Sequence, residues 1–266
     1  GGKEGREKKH GRQKWVLDDA KEVEVYMQDV ALLLEPSCAP GLHAALFSKD
    51  FKKQVDGIRA LAAFVPEHPQ ELIGNLDLVL KMCTLRMMGK GANTSVVLAV
   101  LELLRTTLEV LVSHDYRLTE MEASVSLPCL MEEVGGNNDN QRRIIRELLK
   151  KATQVYPASK IFAMLSDTAV YTRNQKSRAE ALGEMAALAE RLGLEQVCVP
   201  SKALPAISAY VAERDVGVRN AALDCLVSAH QTLGDRMWKH LQKLEQKERD
   251  MVEARLRKAR QAAAPP

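Results

Sequence analysis

The stretch Arg214-Asp-Val-Gly-Val-Arg-Asn-Ala-Ala-Leu-Asp-Cys-Leu-Val227 decides the fold, because its pattern returns in degraded form at four earlier places. With Arg219 as marker, the counterparts running backwards are Arg178, Arg142, Val97 and Val55, at spacings of 41, 36, 45 and 42 residues. Each marker opens an apolar helix. Ala222, Leu223 and Leu226 are answered by Ala181, Leu182 and Met185. The earlier copies read Val55, Ile58, Leu61, then Val97, Val100, Leu101, Leu104, then Ile145, Leu148, Leu149. Apolar residues at i, i+3, i+4 and i+7 give helix periodicity and one buried face per copy.

Between these helices lie others, such as Asn75 to Met88 and Ser201 to Val211, whose apolar sides pair with the repeated ones. Two antiparallel helices per step of about 40 residues match repeats of the HEAT or armadillo kind, and the fold class expected is an all-α HEAT-repeat solenoid. The repeats fall at roughly 41–66, 70–113, 119–156, 157–192 and 200–233, with a charged terminal pair at 235–261. Thr119-Glu-Met-Glu122 has the spacing of a capping box, Pro157 suits a first helical turn, and Gly193 and Gly234 stand where helices stop. Ala20 to Leu34 is an extra helix ahead of the first repeat, closed by Pro36, Pro40 and Gly41. From Arg236 to Arg260 an apolar edge of Met237, Leu241, Leu244, Met251, Val252 and Leu256 fits a cap on the open end of the array. A coiled coil or a membrane-surface helix is the alternative.

Only 4% of the residues are aromatic, so Leu, Ala, Val and Met must fill the core. No run of about 20 apolar residues exists, since Val96 to Leu104 is interrupted by Glu102, and charges stand where a signal peptide needs an apolar core. A soluble intracellular protein is expected. Five scattered cysteines, Cys38, Cys83, Cys129, Cys198 and Cys225, without a C-x-x-C pair, read as buried free thiols. Residues 1–16 read as a flexible basic tail or linker, 17–261 as one helical domain and 262–266 as a frayed C-terminus, both ends looking cut from something longer.

Catalytic signatures are missing. Gly89-Lys90-Gly91 lacks the upstream glycine and the following Ser or Thr of a nucleotide-binding loop. The six histidines have no metal-ligand spacing, and no serine or cysteine stands in a nucleophile context. No enzyme activity, cofactor or metal is expected. A net charge of +3 with few aromatics argues against nucleic-acid binding.

A repeat array without catalytic motifs works as a surface, and one edge of it collects the same loop from each repeat. The loops ahead of the marked helices are 48–53, 89–95, 136–143, 171–178 and 213–220, and they are basic and amide-rich. Lys52, Lys53, Lys90, Arg142, Arg143, Arg173, Lys176 and Arg214 suit an acidic partner. Asp50, Asn93 or Thr94, Asn140, Asn174 and Asp215 precede helices, so capping is an alternative role for them. Arg142, Arg178 and Arg219 share one register and serve either binding or a ladder to a neighbouring loop acid such as Asp215. Phe51 is either an exposed aromatic or packed into its own repeat.

The stretches Phe47-Ser-Lys-Asp-Phe51, Asn75-Leu-Asp-Leu-Val-Leu-Lys81, Asn93-Thr-Ser-Val96, Leu118-Thr-Glu-Met-Glu-Ala-Ser124, Val155-Tyr-Pro-Ala-Ser-Lys160 and Arg214 to Leu223 closely resemble, in the same order, the TOG domains of the microtubule polymerase family, most of all the fifth. The resemblance implies a paddle-like, monomeric, non-enzymatic tubulin-binding module of a multi-TOG chain at microtubules, spindle and centrosome in the cytoplasm. It implies that Phe51, where many such domains carry tryptophan, meets β-tubulin with Lys52 and Lys53, followed by Asn93 and Thr94, then Asn140 and Arg143. Arg173, Asn174, Lys176, Arg214 and Asn220 then extend the contact onto α-tubulin, and the extra helix fits the additional element of the fifth domain. That class is thought to favour tubulin in or entering the lattice. The rival reading is a HEAT scaffold for an unrelated acidic partner.

Overall fold

The computed structural model describes residues 2–10, 20–88, 92–241 and 244–263, and every regular element among them is helical. The chain divides into two compact units, Gly1–Leu130 with Arg143–Tyr156, and Met131–Arg142 with Pro157–Pro266. The first contains α1 (Lys3–His10), α2 (Ala20–Leu34), α3 (Pro40–Leu46), α4 (Phe51–Phe64), α5 (Pro69–Gly74), α6 (Leu76–Met88) and α7 (Thr94–Ser113). It also holds most of α8 (Glu120–Glu133) and of α9 (Asp139–Ala152). The second contains α10 (Ala158–Tyr171), α11 (Gln175–Leu192), α12 (Leu194–Val197), α13 (Pro200–Ala209), α14 (Val216–Leu233) and α15 (Gln246–Ala263).

Helix pairs are the repeating unit, as the sequence period requires. In the first unit α3 packs on α4, α4 on α7, and α6 on both α2 and α7. The buried faces are the predicted ones: Val55, Ile58 and Leu61 of α4, and Val100, Leu101 and Leu104 of α7. Gly57 lets α3 and α4 approach, since a Cβ there would lie 2.8 Å from the Leu46 nitrogen and 2.9 Å from the Ala45 Cβ. In the second unit α11 packs between α10 and α14, burying Ala181, Leu182 and Met185 against a face that includes Ala222 and Leu226. The fold is an all-α, HEAT-like helix-pair solenoid.

The capping box and the two glycine stops hold, while Pro157, expected in a first helical turn, stands one residue earlier as the N-cap of α10. Thr119 and Glu122 form the expected capping box, with the Thr119 N–H donating to the Glu122 carboxylate at 2.8 Å and the Glu122 N–H to the Thr119 hydroxyl at 3.3 Å. Gly193 and Gly234 end α11 and α14 at φ 87° and 55°, a region costly for any residue with a Cβ. Helix α2 has the bounds read from sequence. The terminal pair expected at 235–261 differs: its first member is a 3₁₀ segment, Gly234–His240, and only α15 is an α-helix, seated on α14 through buried Val252 and Leu256.

The flexible tail expected over residues 1–16 is corrected over its first part. Residues 3–10 form helix α1, and its Lys3 and Arg6 reach carboxylates of α8 and α6 that are fully buried. The charge run has no apolar periodicity, so its docking rests on distant acids that a local reading does not see. Residues 11–16 lie outside the described residues.

Candidate functional site

Every intra-repeat loop is followed by a helix whose first turn is closed by an Asx side chain. Asp50 accepts from the Lys52 N–H, Asn93 from Ser95 and Val96, Asn174 from Lys176 and Ser177, and Asp215 from Val218. In the third repeat the cap is Asn138, which accepts from the Gln141 N–H at 3.1 Å. Asn140, expected as that cap, lies instead within the first turn of α9.

Four residues beyond each cap stands the repeat marker. This register moves the first marker from Val55 to Gln54, because Val55 is buried core while Gln54 has the polar side chain the position uses. Gln54 donates to the Ser48 carbonyl at 2.7 Å, Arg142 to Gly136 at 2.9 Å, Arg178 to Thr172 at 2.7 Å and Arg219 to Glu213 at 3.0 Å. Each bond reaches six residues back and ties the start of its loop to the helix that follows. The three arginines therefore hold the backbone of their own loops, and the ladder to a neighbouring loop acid gives way to this arrangement. Arg142 adds an ion pair with Asp139. Val97 offers no donor at this position, and residues 89–91 of its loop, including Lys90, lie outside the described residues.

On the loops and the helix starts that follow them, all twelve residues singled out from the sequence are exposed. In the first unit they are Phe51, Lys52 and Lys53 at the start of α4, and Asn93 and Thr94 at the start of α7. Phe51 is 42% exposed, so it is partly covered and partly open to solvent. Arg143, on the stretch of α9 in this unit, pairs with Glu147 at 2.8 Å. The second unit carries Asn140, Arg173, Asn174, Lys176, Arg214 and Asn220. Asn93 and Asn174 use their carbonyl oxygens as caps, so capping and exposure coexist at one side chain.

Two loops of the second unit interlock. The Ser177 hydroxyl donates to the Glu132 carbonyl at 2.9 Å, Thr172 to the Glu132 carboxylate at 3.0 Å, and Lys176 to the Asn137 side chain at 2.9 Å. Gly135 permits the approach, since a Cβ there would lie 2.2 Å from the Ser177 hydroxyl oxygen. Sequence reading missed two apolar residues on this edge: Tyr171 is 80% exposed and Val216 58%. Both sit at helix ends, where an apolar residue reads as core by periodicity. Only the charged neighbours Arg173 and Arg214 hinted otherwise.

Among the described residues no cluster of His, Cys, Asp and Glu is arranged to hold a metal ion, and no helix is long and apolar enough to cross a membrane. All five thiols are free. Cys83, Cys129 and Cys225 are buried, whereas Cys38 and Cys198 are half-buried. Burial pushes the Cys198 thiol up to about 11 and Cys83 up to about 12, with Cys225 higher still.

No family model matches the chain. It is 36% identical to Protein MOR1 of Oryza sativa subsp. japonica over 217 residues, 81% of this chain and 11% of the relative. A solved TOG domain of Zyg9 from C. elegans superposes with a TM-score of 0.85 at 27% identity, covering 97% of this chain and 96% of that one. The chain is a TOG domain of the microtubule-polymerase family. A second structure, from work on TOG–tubulin binding specificity in microtubule dynamics and mitotic spindle formation, covers 94% of this TOG domain and 93% of its own chain, with TM-score 0.84 and 29% identity. As a TOG domain the chain is a non-catalytic module. It spans about a tenth of the length of the curated relatives it matches, 11% of the rice protein.

Proposed function

We propose that this TOG domain binds αβ-tubulin through its intra-repeat loops. The observation that carries the reading is that all twelve candidate residues are exposed along the intra-repeat loops and the helix starts that follow, and that Gln54, Arg142, Arg178 and Arg219 tie the bases of their own loops, which supports binding groups held in place before any partner arrives. In the orientation taken from the family resemblance, Phe51, Lys52, Lys53, Asn93 and Thr94 meet β-tubulin. Asn140 and Arg143 come next, and Arg173, Asn174, Lys176, Arg214 and Asn220 meet α-tubulin. The basic side chains give attraction and a faster on-rate that weaken with salt. Phe51 supplies aromatic area without an indole donor, which weakens the contact with free dimer relative to a tryptophan, and the family resemblance implies a preference for tubulin in or entering the lattice. The extra helix α2, packed on α6, fits the additional element that the resemblance gives to a domain of the fifth type.

The domain acts as a monomeric unit of a multi-TOG chain in the cytoplasm, at microtubules and their spindle and centrosomal assemblies. Tethered domains raise local tubulin concentration at a growing end, and a single domain binds without accelerating growth.

The test is size-exclusion chromatography with free αβ-tubulin and co-sedimentation with microtubules, for the wild type and Phe51→Ala/Lys53→Ala. Wild-type binding that the double variant loses supports the reading. Absence of binding in both assays at low salt overturns it in favour of an unrelated acidic partner.

A further inference from the structure

Helix α1 has the sequence KEGREKKH, without one apolar residue and with Gly5 at its centre. Eight such residues do not hold a helix alone in water, because nucleation costs more than so few backbone bonds return. Its order therefore comes from what it touches. Lys3, Arg6 and Glu7, at i, i+3 and i+4, are its half-buried residues, and they form one face.

That face meets a built receptor. Arg6 donates to both carboxylate oxygens of Asp77 at 2.7 Å, and to the Gly74 carbonyl at 3.1 Å. Lys3 pairs with Glu122, and donates to the Tyr116 hydroxyl at 2.6 Å and the Ile73 carbonyl at 3.0 Å. Tyr116 in turn donates to Glu122 at 3.1 Å, and Glu7 accepts from the Thr119 hydroxyl at 3.0 Å. With α1 docked Asp77 and Glu122 are fully buried, and Arg6 and Lys3 offset the desolvation that docking imposes on them. Thr119 and Glu122 are also the capping box of α8, so α1 latches onto a helix start that is complete without it. The latch is polar throughout. Beside it an open cleft of about 390 Å³ remains between α1, the end of α2 and the end of α5, lined by Lys3, Arg6, Leu32, Leu33, Pro36 and Asn75.

We propose that Asp77 and Glu122 form a docking groove for a basic helical segment of spacing Lys-x-x-Arg, and that residues 3–10 are its exchangeable resident, folding as they dock. Bidentate geometry at Asp77 selects arginine at the second position, whereas the compact site around Glu122 and Tyr116 takes a lysine ammonium. Docking withdraws Lys3 and Arg6 from solvent, while Lys8 and Lys9 stay exposed. Occupancy of the groove therefore sets how much positive charge the N-terminal segment offers to an acidic surface.

The test needs no tubulin. In the whole chain, Lys3→Glu/Arg6→Glu expels the resident, and a labelled peptide of residues 2–10 is titrated by fluorescence anisotropy. The expected result is binding to this variant and at least about tenfold weaker binding to the wild type, whose resident has the intramolecular advantage. Binding is lost when Asp77→Asn is added. A folded variant that ignores the peptide, or binding indifferent to Asp77→Asn, overturns the proposal. If the charge-reversed chain misfolds, hydrogen exchange of the wild type decides. Protection of residues 3–10 that collapses between roughly 50 and 500 mM salt, with α6 and α8 unchanged, supports an exchangeable latch. Protection that follows α6 at every salt concentration, or none at low salt, overturns it.

Discussion

The Arg219 guanidinium donates to the carbonyl oxygen of Glu213 at 3.0 Å, closing a loop of six residues whose far end is capped by Asp215. Arg178 does more at the same register, holding the carbonyls of both Ala169 and Thr172 at 2.8 and 2.7 Å. Arg178→Ala is expected to cost about 2 kcal/mol, the range for bonds from a charged donor. It should also speed amide exchange across 172–177. A urea melt with hydrogen exchange checks both, and unchanged exchange there would show that the loop is held by other means.

Two glycines should respond with opposite signs. Gly135→Ala drives a methyl into Ser177 and should destabilise by about 1–3 kcal/mol. Gly183, inside α11, has nothing within 4 Å of a built Cβ, so Gly183→Ala should stabilise by about 0.5–1 kcal/mol through helix propensity. Thermal melts of the pair decide it.

Capping separates two neighbouring asparagines. Asn138→Ala removes the acceptor for the Gln141 N–H and should cost about 1 kcal/mol. Asn140→Ala, within the helix, should cost less in the same denaturant titration.

The thiols give a pH dependence. Cys198 and Cys83 have folded values raised by burial above the ordinary 9.0, to about 11 and about 12. A raised value means that the folded state favours the neutral thiol. Its stabilisation is therefore complete below pH 9 and is lost as pH rises towards 11 and 12. The urea midpoint should hold near neutrality and fall above pH 9. Alkylation at pH 7.5 should spare Cys83 and Cys225 in the folded chain, as peptide mass mapping would show.

Tyr171 is the most solvent-exposed of the large apolar side chains described. Tyr171→Ala should leave the melting temperature nearly unchanged, within the roughly 0.5 kcal/mol typical of surface positions. It should weaken microtubule co-sedimentation several-fold, in line with the enrichment of tyrosine at interface anchor points. Full binding by this variant would confine the contact to the charged residues.

The sequence by itself determined the helix-pair period, the core faces, the capping box at Thr119 and Glu122, the bounds of α2 and the loops that carry the candidate residues. These features are written within one or two turns of chain, where periodicity and cap chemistry act. Tertiary structure alone decided which polar side chains look inward. Gln54 rather than Val55 takes the marker role because a carbonyl waits six residues behind it, and Asn138 rather than Asn140 caps α9 because the helix begins at Asp139. The basic run at residues 3–10 is helical because Arg6 meets Asp77, 71 residues away, and Lys3 meets Glu122, both fully buried in the docked chain. No local pattern encodes such a partner, since the interaction exists only once the acids have been carried out of water.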